Sequence, residues 1–405
     1  VITEGELDAL SVAQAFNLKW PVVSLLNGAS SAVREVKRSI EWLESFEKVI
    51  LFFDGDDAGK KAVQAVAPLF SPGKVFVAVP PEGFKDANDM LQAGQFAQLC
   101  HVVFQASPYR PDGIVSGASL WPMFDDFYYG RSIPNTYRVP FPKLQEYTRG
   151  MRGGELWTVG GGTGVGKSSF VAEIAHDMLL NQGAKLGYIA LEESQCFTGL
   201  RQLSLAMNVP LHLCHRDPQG VLQVSHDSYK EAWDRTLGSG RLFLYDHWGS
   251  LQSENLLSKI RYLIRGCDCS MIVLDHVSIV VSGISGGDER RMIDNLMTNL
   301  RSMSQETGCG FLIVSHLRRP DGNAHEEGGR VHLSDFRGSG AIAQLSDTIV
   351  GLERNQQDES LKFFSQLRVL KNRFSGTTGI VDTIEYTPTS GRLQASAANP
   401  DFGFD

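Results

Sequence analysis

Apolar residues in this chain gather into short runs separated by stretches with helical repeat. Runs at 22–25, 49–53 and 75–79 read as strands, and the segments 32–46 and 58–69 between them have apolar positions at helical spacing with charged opposite faces. The alternation resumes at 156–159 and continues through 186–191, 242–245, 271–274, 311–314 and 348–352, with helical segments between most of the runs. Strand-like runs alternating with helical segments give the expectation of an α/β chain, with a parallel sheet in the first block and an α/β core in the second. Between the two blocks the pattern breaks. A turn-rich stretch at 107–113 is followed by an amphipathic segment at 118–127, then Gly130 and a loop at 133–137, which together suit a linker carrying a helix. The expected divisions are a first domain at 1–110, a linker at 111–145, a second domain at 146–395 and a short tail at 396–405. Val1-Ile2-Thr3 reads as a strand already under way, without a starting Met, so upstream sequence is expected to be missing.

Composition narrows the class. The 405 residues allow two or three domains with real cores, and 42% hydrophobic with 21% charged residues is ordinary for a soluble globular protein. No run approaches the roughly 18 apolar residues of a membrane span, and the N-terminus carries no targeting signal, so a cytoplasmic location is expected. A net charge of −8 argues against a basic coat for nucleic acid while leaving room for a local basic channel. The six cysteines are scattered, and Cys267-Asp268-Cys269 lacks the usual zinc spacing, so free thiols are expected.

The chemistry sits where strands end. Gly161 to Ser168 fit G-x-x-x-x-G-K-[ST] between the apolar run 156–159 and a helical pattern of Phe170, Val171, Ile174, Ala175, Met178 and Leu179. Strand, glycine loop and helix are the parts a phosphate site needs. Gly161, Gly164 and Gly166 let backbone N–H groups converge, Ser169 continues the helix N-terminus, Lys167 reaches the β- and γ-phosphates, and the Ser168 hydroxyl suits Mg²⁺. A carboxylate directly after the run 186–191 can orient and deprotonate water; only one of two neighbours can face the site, and Glu192 is the better candidate, with Glu193 the alternative. Asp275, after 271–274, is the expected second holder of Mg²⁺. His316 ends the run 311–314 and can sense a γ-phosphate, with Gln344 a weaker candidate for the same task. In the first block, Glu4-Gly5-Glu6-Leu7-Asp8 and Asp54-Gly55-Asp56-Asp57 follow strands. Glu4, Asp54 and Asp56 are expected to hold a hard cation, with Asp57 as a helix cap.

Glu-Gly-x-x-Asp followed some 50 residues later by Asp-x-Asp, with Lys85-Asp86-Ala87-Asn88-Asp89 beyond, resembles the Toprim fold of primases and topoisomerases. By that resemblance Glu4, Asp54 and Asp56 hold Mg²⁺ for primer synthesis. Primases of this kind also carry a zinc-binding domain and a basic half-domain upstream, so the module here is expected to be partial. Leu274-Asp275-His276-Val277-Ser278, Ser315-His316-Leu317, Phe336-Arg337-Gly338-Ser339-Gly340, Gln344-Leu345-Ser346-Asp347 and Lys371-Asn372-Arg373-Phe374 look like the bifunctional primase-helicases of short-tailed lytic phages. Mitochondrial Twinkle and bacterial DnaB are more distant relatives. The resemblance covers residues 1–395 and implies a partial Toprim domain, a linker helix and a RecA-like P-loop NTPase domain. It further implies a 5′→3′ replicative DNA helicase driven by ATP or another NTP or dNTP with Mg²⁺, acting on single-stranded DNA and forked duplex as a hexamer or heptamer.

By matched position, the resemblance makes Arg373, with Lys371 nearby, a finger supplied to the next subunit. Arg354 and Tyr386 sandwich the base, and Arg318, Arg319 and Arg337 are placed toward DNA. The linker helix packs either on a neighbouring subunit or on its own domain. The acidic, Phe-containing tail is similar to one that docks a DNA polymerase. A RecA/RadA-like DNA-binding ATPase acting in recombination is the alternative reading.

Overall fold

The computed structural model describes the chain except for residues 112–113, 132–134, 246–252, 278–287, 319–323, 337–338, 399, 401 and 403–405; at 253, 254, 288, 289 and 339 the backbone alone is described. The chain divides into two compact units, Val1–Arg131 and Ser132–Asp405. No helix among the described residues is long and apolar enough to cross a membrane.

In the first unit β1 (Ile2–Thr3), β2 (Val23–Ser24), β3 (Val49–Phe52), β4 (Val75–Val77) and β5 (Ser107–Pro108) form a sheet of order β2-β1-β3-β4-β5. The first four strands run parallel and β5 is antiparallel to β4. Alternation along 51–53 covers both faces, with Leu51 and Phe53 in one apolar cluster and Phe52 in another. Two expected helices are shorter than their pattern. The segment 32–46 breaks at Ser39 into Ala32–Arg38 and Ile40–Glu44, and 58–69 becomes Asp57–Val66 followed by a 3₁₀ turn, Ala67–Leu69, where Pro68 supplies no N–H. The amphipathic stretch forms a 3₁₀ turn, Gly117–Leu120, and a helix, Trp121–Tyr128, with no buried residue; Trp121, Phe124, Phe127 and Tyr128 are all exposed.

The second unit opens with a short ribbon, β6 (Thr136–Tyr137) against β7 (Met151–Arg152). Its main sheet contains β8 (Leu156–Gly161), β9 (Leu186–Ala190), β10 (Leu242–Leu244), β11 (Met271–Asp275), β12 (Gly310–His316), β13 (Thr348–Glu353), β14 (Phe364–Asn372), β15 (Gly379–Thr387) and β16 (Arg392–Ala395). The order is β10-β9-β11-β12-β8-β13-β14-β15-β16. From β10 to β13 every pairing is parallel, and β14 to β16 add antiparallel strands. Central β8 is buried at every position, with Trp157 and Val159 in one apolar cluster and Leu156 in the other. The antiparallel extension is not marked by an apolar run, because β14 buries Gln366 and Arg368 among its apolar residues.

Of these two, Arg368 is paired, whereas Gln366 Oε1 is buried without a hydrogen-bond partner. Glu353, fully buried at the end of β13, receives Arg368 Nε at 2.7 Å and Nη2 at 2.9 Å, and also the Val331 N–H at 3.0 Å. The bidentate pair ties β13 to β14 and holds the segment that follows residue 330. Removing one member strands the other charge in the core. Arg368→Ala is therefore expected to cost about 3–5 kcal/mol of unfolding free energy, read as a lower denaturant midpoint of the full chain. An unchanged midpoint would show that the pair contributes nothing.

Candidate active site

Parallel register brings the chemistry-bearing strand ends level. Asp275 on β11 pairs with Ala190 on β9, and His316 on β12 pairs with Gly161 on β8, which also faces Leu352 on β13. The Leu191 N–H continues the ladder to the Asp275 carbonyl at 2.6 Å, so Glu192 leaves β9 beside His276. Glycine is required where the loop leaves β8: a Cβ on Gly160 would collide with the Phe336 ring, and one on Gly161 would sit 2.9 Å from the Leu352 carbonyl. Gly164 and Gly166 have φ of +72° and +99°, the left-handed region that glycine enters at least cost. The helix Lys167–Asn181 begins directly after Gly166.

Lys167 is buried, and its ammonium donates to the carbonyls of Gly161 at 3.0 Å and Gly162 at 2.6 Å. Burial lowers its pKa, while the charges of Asp275, Glu192 and Glu326 oppose the shift. Ser168 hydrogen-bonds Asp275, whose carboxyl is pushed up by burial against that bond. Asp275 Oδ1 is buried without a hydrogen-bond partner. A buried carboxylate oxygen left open beside a hydroxyl fits a divalent cation.

Glu192 and Glu193 separate cleanly. Glu193 is tied to the following helix, accepting from Thr198 Oγ1 at 2.9 Å and Arg201 Nη2 at 2.7 Å. Glu192 instead turns toward the strand ends, with Oε1 2.6 Å from His276 Nε2 and 3.6 Å from His316 Nε2. Burial works against its charge, but the hydrogen bond and charge of His276 outweigh it, so the carboxyl stays below the usual range and ionised. Burial, then the neighbouring His276 and Lys167, push His316 down to about 4, leaving it neutral near pH 7.

A cavity of about 390 Å³ adjoins the loop, lined among others by Gly164, Ser169, Phe197, Arg201, Arg354 and Tyr386. Arg354 and Tyr386 thus share one pocket with the phosphate loop, and Arg354 Nη2 donates to the Lys362 carbonyl. Gln344 is exposed on the helix Ser339–Leu345. Its carbonyl accepts from Arg373 Nη2 at 2.9 Å and Lys371 Nζ at 3.2 Å, and Arg373 Nη1 pairs with Asp347 at 3.0 Å. Arg318 is exposed, and its N–H bonds the Asp335 carbonyl at 2.6 Å; Arg319 and Arg337 lie outside the described residues. Two loop residues were not anticipated. Glu326 accepts the Thr163 N–H at 2.8 Å and Gln356 donates to the Thr163 carbonyl at 2.8 Å, so both backbone groups of one loop residue are held from other segments. Nothing local in the sequence links residues so far apart.

In the first unit the acids sort differently from expectation. Asp8, Asp54 and Asp86 bring one carboxylate oxygen each within 4.8 Å of the others. Of the expected trio only Asp54 belongs to this cluster. Asp56 caps the helix Asp57–Val66, accepting from Ala58 N at 3.0 Å and Gly59 N at 2.9 Å, and Asp57, the expected cap, is the first helical residue. Glu4 accepts the Ala29 N–H at 3.2 Å through Oε1, and its Oε2 is buried without a partner. Lys85 Nζ lies 2.8 Å from Asp54. Asp8 and Asp86 both stand in the quoted motifs, but only the fold brings residues 8, 54 and 86 together.

A glycine-rich phosphate-type loop with carboxylates and imidazoles at the C-terminal strand ends of a RecA-like sheet defines the P-loop NTPase class, and the first unit adds a carboxylate-bearing α/β module. The family model described as DnaB-like helicase C terminal domain matches residues 138–393, and the one described as Toprim-like matches 1–91. The chain belongs to the DnaB-like helicase family. It is 40% identical to the DNA helicase/primase of Enterobacteria phage T3 over 98% of this chain and 69% of that protein. It is 22% identical to the chloroplastic/mitochondrial Twinkle homolog protein of Arabidopsis thaliana over 99% of this chain and 59% of that one. Among solved structures, a DnaB-like replicative helicase shares the fold at a TM-score of 0.55 and 16% identity, covering 76% of this chain and 72% of that one.

Burial raises Asp8 to about 6, and the charges of Asp86 and Asp54 add to the shift. The folded first unit therefore favours protonated Asp8, a stabilisation present below its ordinary pKa and lost as pH rises through about 6. In the absence of divalent cations, Asp8→Asn is expected to melt higher than the parent above pH 6 by about 1 kcal/mol equivalent after solvent screening, with the advantage gone below pH 4. Parallel pH profiles would refute the assignment.

Proposed function

We propose that the second unit is the motor of a replicative DNA helicase, hydrolysing ATP or another NTP or dNTP to move 5′→3′ on single-stranded DNA and unwind forked duplex. The observation carrying this reading is the convergence of the Gly161–Ser168 loop, Glu192, Asp275 and His316 on one edge of the parallel sheet. The loop N–H groups and Lys167 bind the phosphates, with Lys167 leaving the Gly161 and Gly162 carbonyls to reach them. Ser168 and Asp275 hold Mg²⁺, which when bound neutralises phosphate charge. Glu192, ionised and half-exposed, orients a water and takes its proton. Neutral His316 contacts the γ-phosphate from the neighbouring strand end, with Gln344 a second sensor. Arg354 and Tyr386 border the pocket that suits the base.

The motor works as a ring of identical subunits, hexameric or heptameric. The exposed aromatic helix Trp121–Tyr128 supports this, since none of its residues is buried within the chain. Arg373, with Lys371 beside it, acts on the next subunit's nucleotide after leaving Asp347, and Arg318, Arg319 and Arg337 serve the DNA channel. Glu4, Asp8, Asp54 and Asp86 hold a divalent cation for nucleotidyl transfer in the Toprim-like module; the orphaned Glu4 oxygen and the clustered carboxylates support that use. The tail docks a DNA polymerase.

Strand displacement from a forked substrate with a 5′ tail tests the motor directly. Lys167→Ala is expected to abolish unwinding, and Glu192→Gln to lower the hydrolysis kcat by about 10²–10⁴ while nucleotide still binds. Unwinding by Lys167→Ala would sink the reading. Arg373→Ala is expected to cost about 10³–10⁵ in hydrolysis with folding intact. Mixing it with Lys167→Ala subunits, which still supply Arg373, should restore part of that activity; failure of rescue would exclude action across subunits.

A further inference from the structure

The three residues that meet at the ends of β9, β11 and β12 form a ligand set unlike that of a magnesium site. Glu192 Oε1, His276 Nε2 and His316 Nε2 all lie within 4.8 Å of one another. The carboxylate oxygen is 2.6 Å from one imidazole nitrogen and 3.6 Å from the other, the two Nε2 atoms are in direct contact, and the rings meet edge to face with centroids 3.7 Å apart. Three lone-pair-bearing atoms that face each other need something positive between them. Protons can serve, and so can a cation.

We propose that Glu192, His276 and His316 form a binding site for a borderline-soft divalent cation of the Zn²⁺ class, distinct from the Mg²⁺ position at Ser168 and Asp275, and that its occupation arrests hydrolysis. Tetrahedral zinc with ligand bonds of about 2.0–2.2 Å sets its donor atoms about 3.3 Å apart. The two carboxylate–imidazole separations, 2.6 and 3.6 Å, bracket that spacing, while the two imidazole nitrogens, now in direct contact, would have to move apart to receive the cation. His276 is buried and fixed on β11's end, whereas Glu192 is exposed enough to adjust and leaves a side open for water. His276 Nδ1 is buried without a hydrogen-bond partner, so the tautomer is set from the Nε2 side, where the cation would sit. Two imidazoles select zinc or cobalt over magnesium, which requires oxygen ligands, so excess Mg²⁺ does not compete. The arrest rests on the role proposed above for Glu192, because a ligated carboxylate cannot accept a proton from water. The binding does not rest on it.

Co²⁺ titration of the metal-free full chain in excess Mg²⁺ tests the site by visible absorption, independently of activity. One saturable d–d band, displaced by Zn²⁺, is expected. His276→Gln and His316→Ala should each weaken it by at least about tenfold, using the loss seen when a zinc site is disturbed as a lower bound. Circular dichroism checks that both variants fold. Ser168→Ala, and Cys267→Ser with Cys269→Ser, should keep the band. Absence of a band, or a band that survives both histidine substitutions or falls with the cysteine pair, overturns the site. In the same samples Zn²⁺ should stop NTP hydrolysis and a chelator should restore it. A band with undiminished hydrolysis overturns the arrest, and no hydrolysis before zinc is added counts against the proposed motor alone.

Discussion

The structure depends on parallel strands that must end level. β8 is flanked by β12 and β13 with no slack in register: His316 and Leu352 both stand opposite Gly161. Only glycine fits at 160 and 161, because a Cβ would enter the Phe336 ring or crowd the Leu352 carbonyl. A one-residue slip would turn every side chain to the opposite face and carry Asp275 and His316 away from the loop. Apolar packing on both faces of β8 is what forbids that slip, so the core and the chemistry are maintained by the same register.

Charge is balanced around that edge. Lys167 is buried among loop carbonyls and stays near three carboxylates, Asp275, Glu192 and Glu326, so its desolvation is opposed by attraction. Glu326 and Gln356 reach the loop from segments far along the chain and hold Thr163 by both its backbone groups. The phosphate loop is thus anchored beyond its own strand and helix.

In the Toprim-like unit the same element type serves two ends. Asp56 and Asp86 both start helices, yet Asp86 also joins Asp8 and Asp54 while Asp56 stands apart from that cluster. The difference is position, not chemistry. Asp86 begins a helix whose Asn88 N–H binds Asp8 at 3.0 Å, and that bond draws residues 80 apart into one carboxylate cluster.

The P-loop, the two α/β blocks and the positions of Glu192, Asp275 and His316 at strand ends were legible in the sequence. Each rests on local rules: apolar runs for covered strands, glycine spacing for a phosphate loop, and a polar residue directly after an apolar run. Local rules stop where a polar residue has two possible partners. Asp56 and Asp57 are neighbours, and only backbone geometry decides which one caps. Arg368 reads as a surface arginine until β14 lies beside β13 and Glu353 meets it. His276 follows Asp275 without a signature of its own, and becomes a partner of Glu192 and His316 only because β9, β11 and β12 are adjacent in the sheet. The sequence by itself did not mark the antiparallel strands β14 to β16, which bury polar residues among the apolar ones, but it determined the parallel strands of the second unit and where reactive residues stop them. Tertiary structure decided which of those residues face one another, since strand order is set by packing between segments that the chain keeps far apart.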